Sequence, residues 1–197
     1  MKVLAACEFS GRVRDAFNMR GHNTYSIDLL PGEGWMKDYK HMIGYVQRLF
    51  DDPFKMVDGT YSNEWDMMIA FPPCTHLAVS GARWFKEKQQ EQKDAIKFVE
   101  WLWTLPIKKI AIENPIGVLS TKSRLGKPSQ IIQPWQFGHG ETKSTCLWLK
   151  NLPKLVPTNV VSGREGRVWK EPPGPDRWKK RSITYQGIAN AMAEQWG

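Results

Sequence analysis

The sequence of 197 residues predicts an α/β fold, a mostly parallel central sheet flanked by helices. Three observations carry this. Residues 2–28 read as strand, turn, helix and strand, ending in the carboxylate of Asp28, the pattern of a dinucleotide-binding βαβ unit. Two short apolar runs, 65–71 and 109–112, each stop at polar residues and proline. The longest helical candidate, 83–105, lies between those two runs.

The elements follow in order. Residues 2–7 are a short apolar run, and Glu8-Phe9-Ser10-Gly11 is a turn. Residues 12–20 have helical spacing, with Val13, Ala16 and Phe17 on one face, and Gly21-His22-Asn23 ends the helix. Residues 24–28 form a second strand, and Asp28 lies 17 positions after Gly11, near the spacing at which an acid meets a ribose. Only one glycine serves the turn, so GxGxxG is absent. Residues 39–50 carry a helical stripe of Met42, Ile43, Val46, Leu49 and Phe50, and a short strand is expected at 54–57. The next run ends in Phe71-Pro72-Pro73-Cys74, where proline cannot donate to a ladder and the strand must stop. Cys74 therefore lies at the carboxyl end of a strand, the edge where open α/β sheets collect ligands; a buried structural cysteine is the competing reading.

The helical candidate 83–105 is stopped by Pro106, and Ile110-Ala111-Ile112-Glu113-Asn114-Pro115 repeats the apolar–polar–proline design. Residues 120–140 are rich in loops, and Lys122, Arg124 and Lys127 among them suit phosphate contacts. Gly138-His139-Gly140-Glu141-Thr142-Lys143 leads into a strand at 146–149. Residues 150–181, rich in proline, glycine and cations including Arg164, Arg167 and Arg181, form an irregular basic excursion within a single domain spanning 1–197. A last helix is expected at 185–195, capped by Ser182 or Thr184.

Composition narrows the function. A net charge of +8 favours an anionic partner, nucleic acid before membrane, and some of the ten tryptophans suit base stacking. No apolar run approaches a membrane span, and Glu8 interrupts the apolar start too early for a signal peptide, so a cytoplasmic protein is expected. Cys7, Cys74 and Cys146 make no CxxC pair and the four histidines have no ligand spacing, so neither a disulfide frame nor a metal site is expected.

Together these pieces resemble the cytosine-5 DNA methyltransferase family, in a compact form similar to methylase-like proteins of phages and prophages. Phe71-Pro72-Pro73-Cys74 resembles the family's nucleophile motif and Ile112-Glu113-Asn114 its Glu-Asn motif. Asp28 falls at its ribose-binding acid, and Gly187-Ile188-Ala189 resembles its C-terminal cofactor-pocket motif. The sequence departs from the family at Cys7, where an aromatic residue is usual, and Phe9 stands in for the adenine contact. Lys143 takes the place of the family's arginine motif, and only thirty residues separate Lys150 from Arg181, where the family has a large recognition domain.

The resemblance implies a Rossmann-like fold dependent on S-adenosylmethionine (SAM), held by Phe9, Ser10, Gly11, Asp28, Phe71, Pro72, Gly187, Ile188 and Ala189. It implies that Cys74 attacks cytosine carbon 6, that Glu113 with a raised pKa relieves charge at ring nitrogen 3, that Asn114 holds the loop, and that Lys143 contacts base or phosphate. Lys122, Arg124, Lys127, Lys143, Arg164, Arg167 and Arg181 would contact DNA. With so little recognition surface, low sequence specificity, a single-stranded substrate or a homodimer is expected. Two other readings remain open: a methylase-like protein that binds nucleic acid or SAM without turnover, and carbon-5 chemistry on a free pyrimidine nucleotide.

Overall fold

The computed structural model describes the backbone of residues 1–197 and every side chain except those of Arg83 and Trp84, the first of which begins the helical candidate above. Seven strands form one sheet: β1 (Lys2–Ala6), β2 (Asn23–Asp28), β3 (His41–Ile43), β4 (Met67–Ala70), β5 (Lys109–Pro115), β6 (Gln130–Ile132) and β7 (Thr145–Lys150). Their order is β3-β2-β1-β4-β5-β7-β6. All pairings from β3 across to β5 are parallel, while β7 runs antiparallel to both β5 and β6. The fold is thus α/β and Rossmann-like, as expected. The chain builds outward from β1 in one direction, then returns through β4 to build in the other. Such a reversal opens a crevice at the carboxyl ends of the two strands. The turn after β1 and the loop after β4 both face it.

The helices are α1 (Arg12–Met19), α2 (Lys37–Lys40), α3 (Arg48–Asp51), α4 (Gln89–Thr104), α5 (Leu119–Lys122), α6 (Arg167–Lys170), α7 (Arg177–Ser182) and α8 (Gln186–Trp196). Alternation along the strands separates two cores. Val3, Ala5, Met67 and Ile69 pack with α1 and α8 on one face. Leu4, Ala6, Met68 and Ala70 pack with Leu49, Val99 and Leu102 on the other. Strands buried on both faces explain why the parallel runs read as continuously apolar.

Five local expectations are corrected. Residues 39–50 are not one helix: α2 gives way to β3, and α3 follows a turn. The free edge of β2 offers a ladder, and His41 anchors the switch, its ring bonded to Ser26 Oγ at 2.8 Å and to the Leu30 carbonyl at 2.9 Å. The long helix starts at Gln89, after a 3-10 turn at Val79–Trp84. In the loop-rich stretch, β6 pairs with β7, and the Gln130 side chain exchanges bonds with the Leu155 backbone at 2.7 and 2.8 Å. Neither Ser182 nor Thr184 caps the last helix; its N-cap is Tyr185, without a side-chain bond, and the Gly187 amide donates to His139 Nε2 at 2.9 Å. The segment 54–57 contributes only an isolated bridge, Lys55 to Tyr61.

Candidate functional site

β4 and β5 are neighbours, with Ala70 opposite Ile112. Their carboxyl ends therefore bring Cys74 and Glu113 to the same edge. Asn114, buried on β5, fastens the two ends: its Nδ2 donates to the Pro72 carbonyl at 2.9 Å, two residues before the cysteine. Lys143 enters from the segment before β7, where its amide donates to Gln133 at 3.0 Å and its Nζ to the Arg181 carbonyl at 3.0 Å. A narrow cleft lined by Phe71, Glu113, Lys143, Thr145, Tyr185 and Ile188 results.

The charges in this cleft are coupled. Burial holds the Glu113 carboxyl above its ordinary value, while Lys143 and the Thr145 hydroxyl pull it back. Burial, then Glu113, push the Cys74 thiol up; Lys143 and Arg181 pull it down. Two cations thus bear on the thiol, but the net direction in the resting site is upward. Once Glu113 is protonated its push disappears and the two cations remain. The other cysteines differ. Burial and Asp28 push Cys7 up to about 12, and burial and Glu113 push Cys146 to about 11, with no cation among the described residues acting on either.

The other side of the crevice is the turn after β1. Gly11, at φ 73°, caps α1 in a left-handed conformation, and a Cβ there would strike the Arg14 guanidinium and the Glu33 carbonyl. Arg14 is fully buried and bonds Asp15 at 2.7 Å, Ser26 Oγ at 3.0 Å and the Glu33 carbonyl at 2.6 Å. Glu8 is buried too: one carboxylate oxygen accepts from Ser10 Oγ and from the Arg12 amide at 3.1 Å, while Oε2 has no partner among the described residues. Asp28, at the end of β2, accepts from the Leu30 amide at 2.9 Å and is held above its ordinary pKa by burial. Phe9 is buried, with Lys179 Nζ 5.2 Å above its ring and paired to Glu33 at 2.7 Å. Helix α7 thus crosses from the β1 turn, through Lys179, to Lys143, through the Arg181 carbonyl.

Of the C-terminal motif, Ile188 reaches the cleft, Gly187 packs against the Phe137 carbonyl, and Ala189 faces the core. The candidate nucleic-acid residues fall into two groups. Lys143 lines the cleft, Arg167 lies beside its Tyr185 and the Arg181 carbonyl bonds Lys143, while Arg164 stacks on Trp135. Lys122, Arg124 and Lys127 lie on the α4 flank, where Lys122 bonds Gln92 at 2.7 Å, beside a groove of 460 Å³ that Lys86 and Lys93 also line. Sequence reasoning missed Glu8, Arg14, Tyr185 and Glu141, and named Arg167 without its place beside the last two. Tyr185 donates to Glu141 at 2.6 Å, and Arg167 Nε reaches the same carboxylate at 2.9 Å. An acid just beyond an apolar run was a usable signal for Glu8. An arginine within a helical stripe gave none for Arg14, because charged residues are by default surface residues.

No family model and no curated protein matches the chain. Among solved structures it is similar to an E. coli prophage-encoded protein assigned as a DNA modification methyltransferase, at 13% identity and a TM-score of 0.47, covering 82% of this chain and 52% of that one. It is also similar to S. pombe Dnmt2 methyltransferase, at 16% identity and a TM-score of 0.44, covering 86% of this chain and 53% of that one. The chain spans about half the length of each. Likenesses this distant carry no function across. No described helix is long and apolar enough to cross a membrane.

Proposed function

We propose that the chain transfers a methyl group from SAM to carbon 5 of cytosine in DNA through a covalent Cys74 adduct. The observation that carries this is the pairing of Cys74 with Glu113 on adjacent strand ends under the shared charge of Lys143. The Cys74 thiolate adds to carbon 6 of the base, and the electron pair displaced from the ring is relieved by a proton that Glu113 gives to nitrogen 3. Asn114 holds the loop in place through the Pro72 carbonyl. After methylation, nitrogen 3 returns its proton to Glu113, and loss of the carbon-5 proton to solvent restores the double bond and expels Cys74 as the thiolate.

The residues at the crevice suit SAM. The partnerless Oε2 of buried Glu8 offers an acceptor to an ammonium group, and the Asp28 carboxylate lies across the same crevice. With Glu8, the residues that would hold it are Phe9, Ser10, Gly11, Asp28, Phe71, Pro72, Gly187, Ile188 and Ala189. Bound there, SAM supplies an electrophilic methyl group.

One observation favours a second reading, binding without turnover: the resting thiol is held up rather than down. Mass spectrometry with SAM and a 5-fluorocytosine oligonucleotide separates the two. The reaction predicts a covalent adduct on Cys74 that Cys74→Ser abolishes; an oligonucleotide bound without an adduct supports the binder.

A further inference from the structure

We propose that α6, α7 and the loop between them form a track for single-stranded DNA that leads to Cys74, with Trp169 and Trp178 as stacking platforms and Arg181 as the cation between track and thiol. This rests on the DNA substrate proposed above and names the form of strand delivered. Trp169 and Trp178 are 60% and 59% exposed, although α6 meets the cleft through Arg167 beside Tyr185 and α7 through the Arg181 carbonyl that Lys143 bonds. Of the two helices, α6 buries only Val168 and α7 buries nothing, so neither indole is there to build a core. Cations flank both rings along Arg167–Lys170 and Arg177–Ser182.

The cations divide by role. Arg167, Lys170, Lys179 and Lys180 are paired with Glu141, Glu165, Glu33 and Glu171, and hold the segment in shape. Arg181 and Arg164 make no ion pair among the described residues. Arg181 lies 5.8 Å from the Trp169 ring, its Nε is buried without a partner, and its charge reaches Cys74. Arg164 stacks 3.9 Å above Trp135 on the neighbouring segment. Unpaired guanidinium groups on indole faces suit phosphates interleaved with bases. Duplex DNA hides its base faces within its own stack, so exposed indoles reach bases only in an unpaired strand.

Fluorescence anisotropy tests this with a labelled oligodeoxynucleotide of about twelve nucleotides, within the span such sites cover. The single strand should bind more tightly than the duplex of the same sequence. The double variant Trp169→Ala/Trp178→Ala should weaken single-strand binding roughly thirtyfold or more, and Trp169→Phe/Trp178→Phe should retain most of it. Arg181→Gln should lower the slope of log affinity against log salt by about one phosphate contact. Both indoles are exposed, so the melting temperature of the two tryptophan variants should not change. Equal binding of duplex and single strand, or unchanged single-strand binding by the double alanine variant, overturns the track. If a Cys74 adduct forms without these differences, the reaction stands and the track falls. If the differences appear without an adduct, the track stands and the reaction falls.

Discussion

The two sides of the crevice are held by charges in opposite ways. On the β1 side, one fully buried guanidinium, Arg14, ties α1, β2 and the loop at Glu33 together through three partners. On the α6–α7 side, four cations whose own side chains are each at least a third exposed form ion pairs with Glu141, Glu165, Glu33 and Glu171. A buried charge that loses its partners is expensive, whereas an exposed pair contributes little. The β1 turn is therefore a fixed bed, and the α6–α7 segment is a surface whose cations can exchange protein partners for a ligand.

The largest effects belong where the two sides meet. Cys74→Ser should reduce methyl transfer to background with an unchanged melting temperature, and Glu113→Gln should cost about 10²–10⁴ in rate, both read by labelled methyl incorporation. Next is the fixed bed. Arg14→Met should destabilise the fold by about 3–5 kcal/mol in denaturant titration, because it strands Asp15 and the Glu33 carbonyl. Asn114→Ala should cost about 1–3 kcal/mol by leaving the Pro72 carbonyl unpaired, and should slow adduct formation. On the other side, Arg167→Ala should change stability by only about 0.2–1 kcal/mol. A cost for Arg167→Ala as large as that for Arg14→Met would erase the contrast between the two sides.

The pH dependence sharpens the same comparison. Lys143 pulls both Cys74 and Glu113 down, so Lys143→Met should move the rise of kcat/KM with pH to higher pH, and Lys143→Arg should move it back. For folding, the sign follows from the raised pKa of Glu113. Its contribution is fully present below the ordinary value of 4.5 and is lost as pH rises through the higher value in the folded chain. Glu113→Gln should therefore flatten the loss of stability between those two values, measured by urea midpoints across pH.

Much of this site was legible from residue order. Proline after an apolar run marks a strand end without any knowledge of neighbours, so Cys74 and Glu113 could be placed at carboxyl edges from the chain alone. The misreadings share a cause. Residues 41–43 carry a helical stripe, yet they form β3 because β2 has an open edge beside them. Residues 130–132 show no pattern of their own, and become β6 by pairing with β7. Arg14 reads as a surface residue until Ser26 and Glu33 close around it.

The chain's local pattern settled the α/β class, the strand ends and the residue types available for chemistry, because backbone sterics and apolar periodicity act over a few positions. Only the folded arrangement decided that β4 and β5 are neighbours, that Asn114 reaches the Pro72 carbonyl, and that Lys143 and Arg181 bear on one thiol. Those facts depend on groups tens of residues apart, and the protonation of Cys74 and Glu113 follows from burial and from distances that exist only once the sheet has formed.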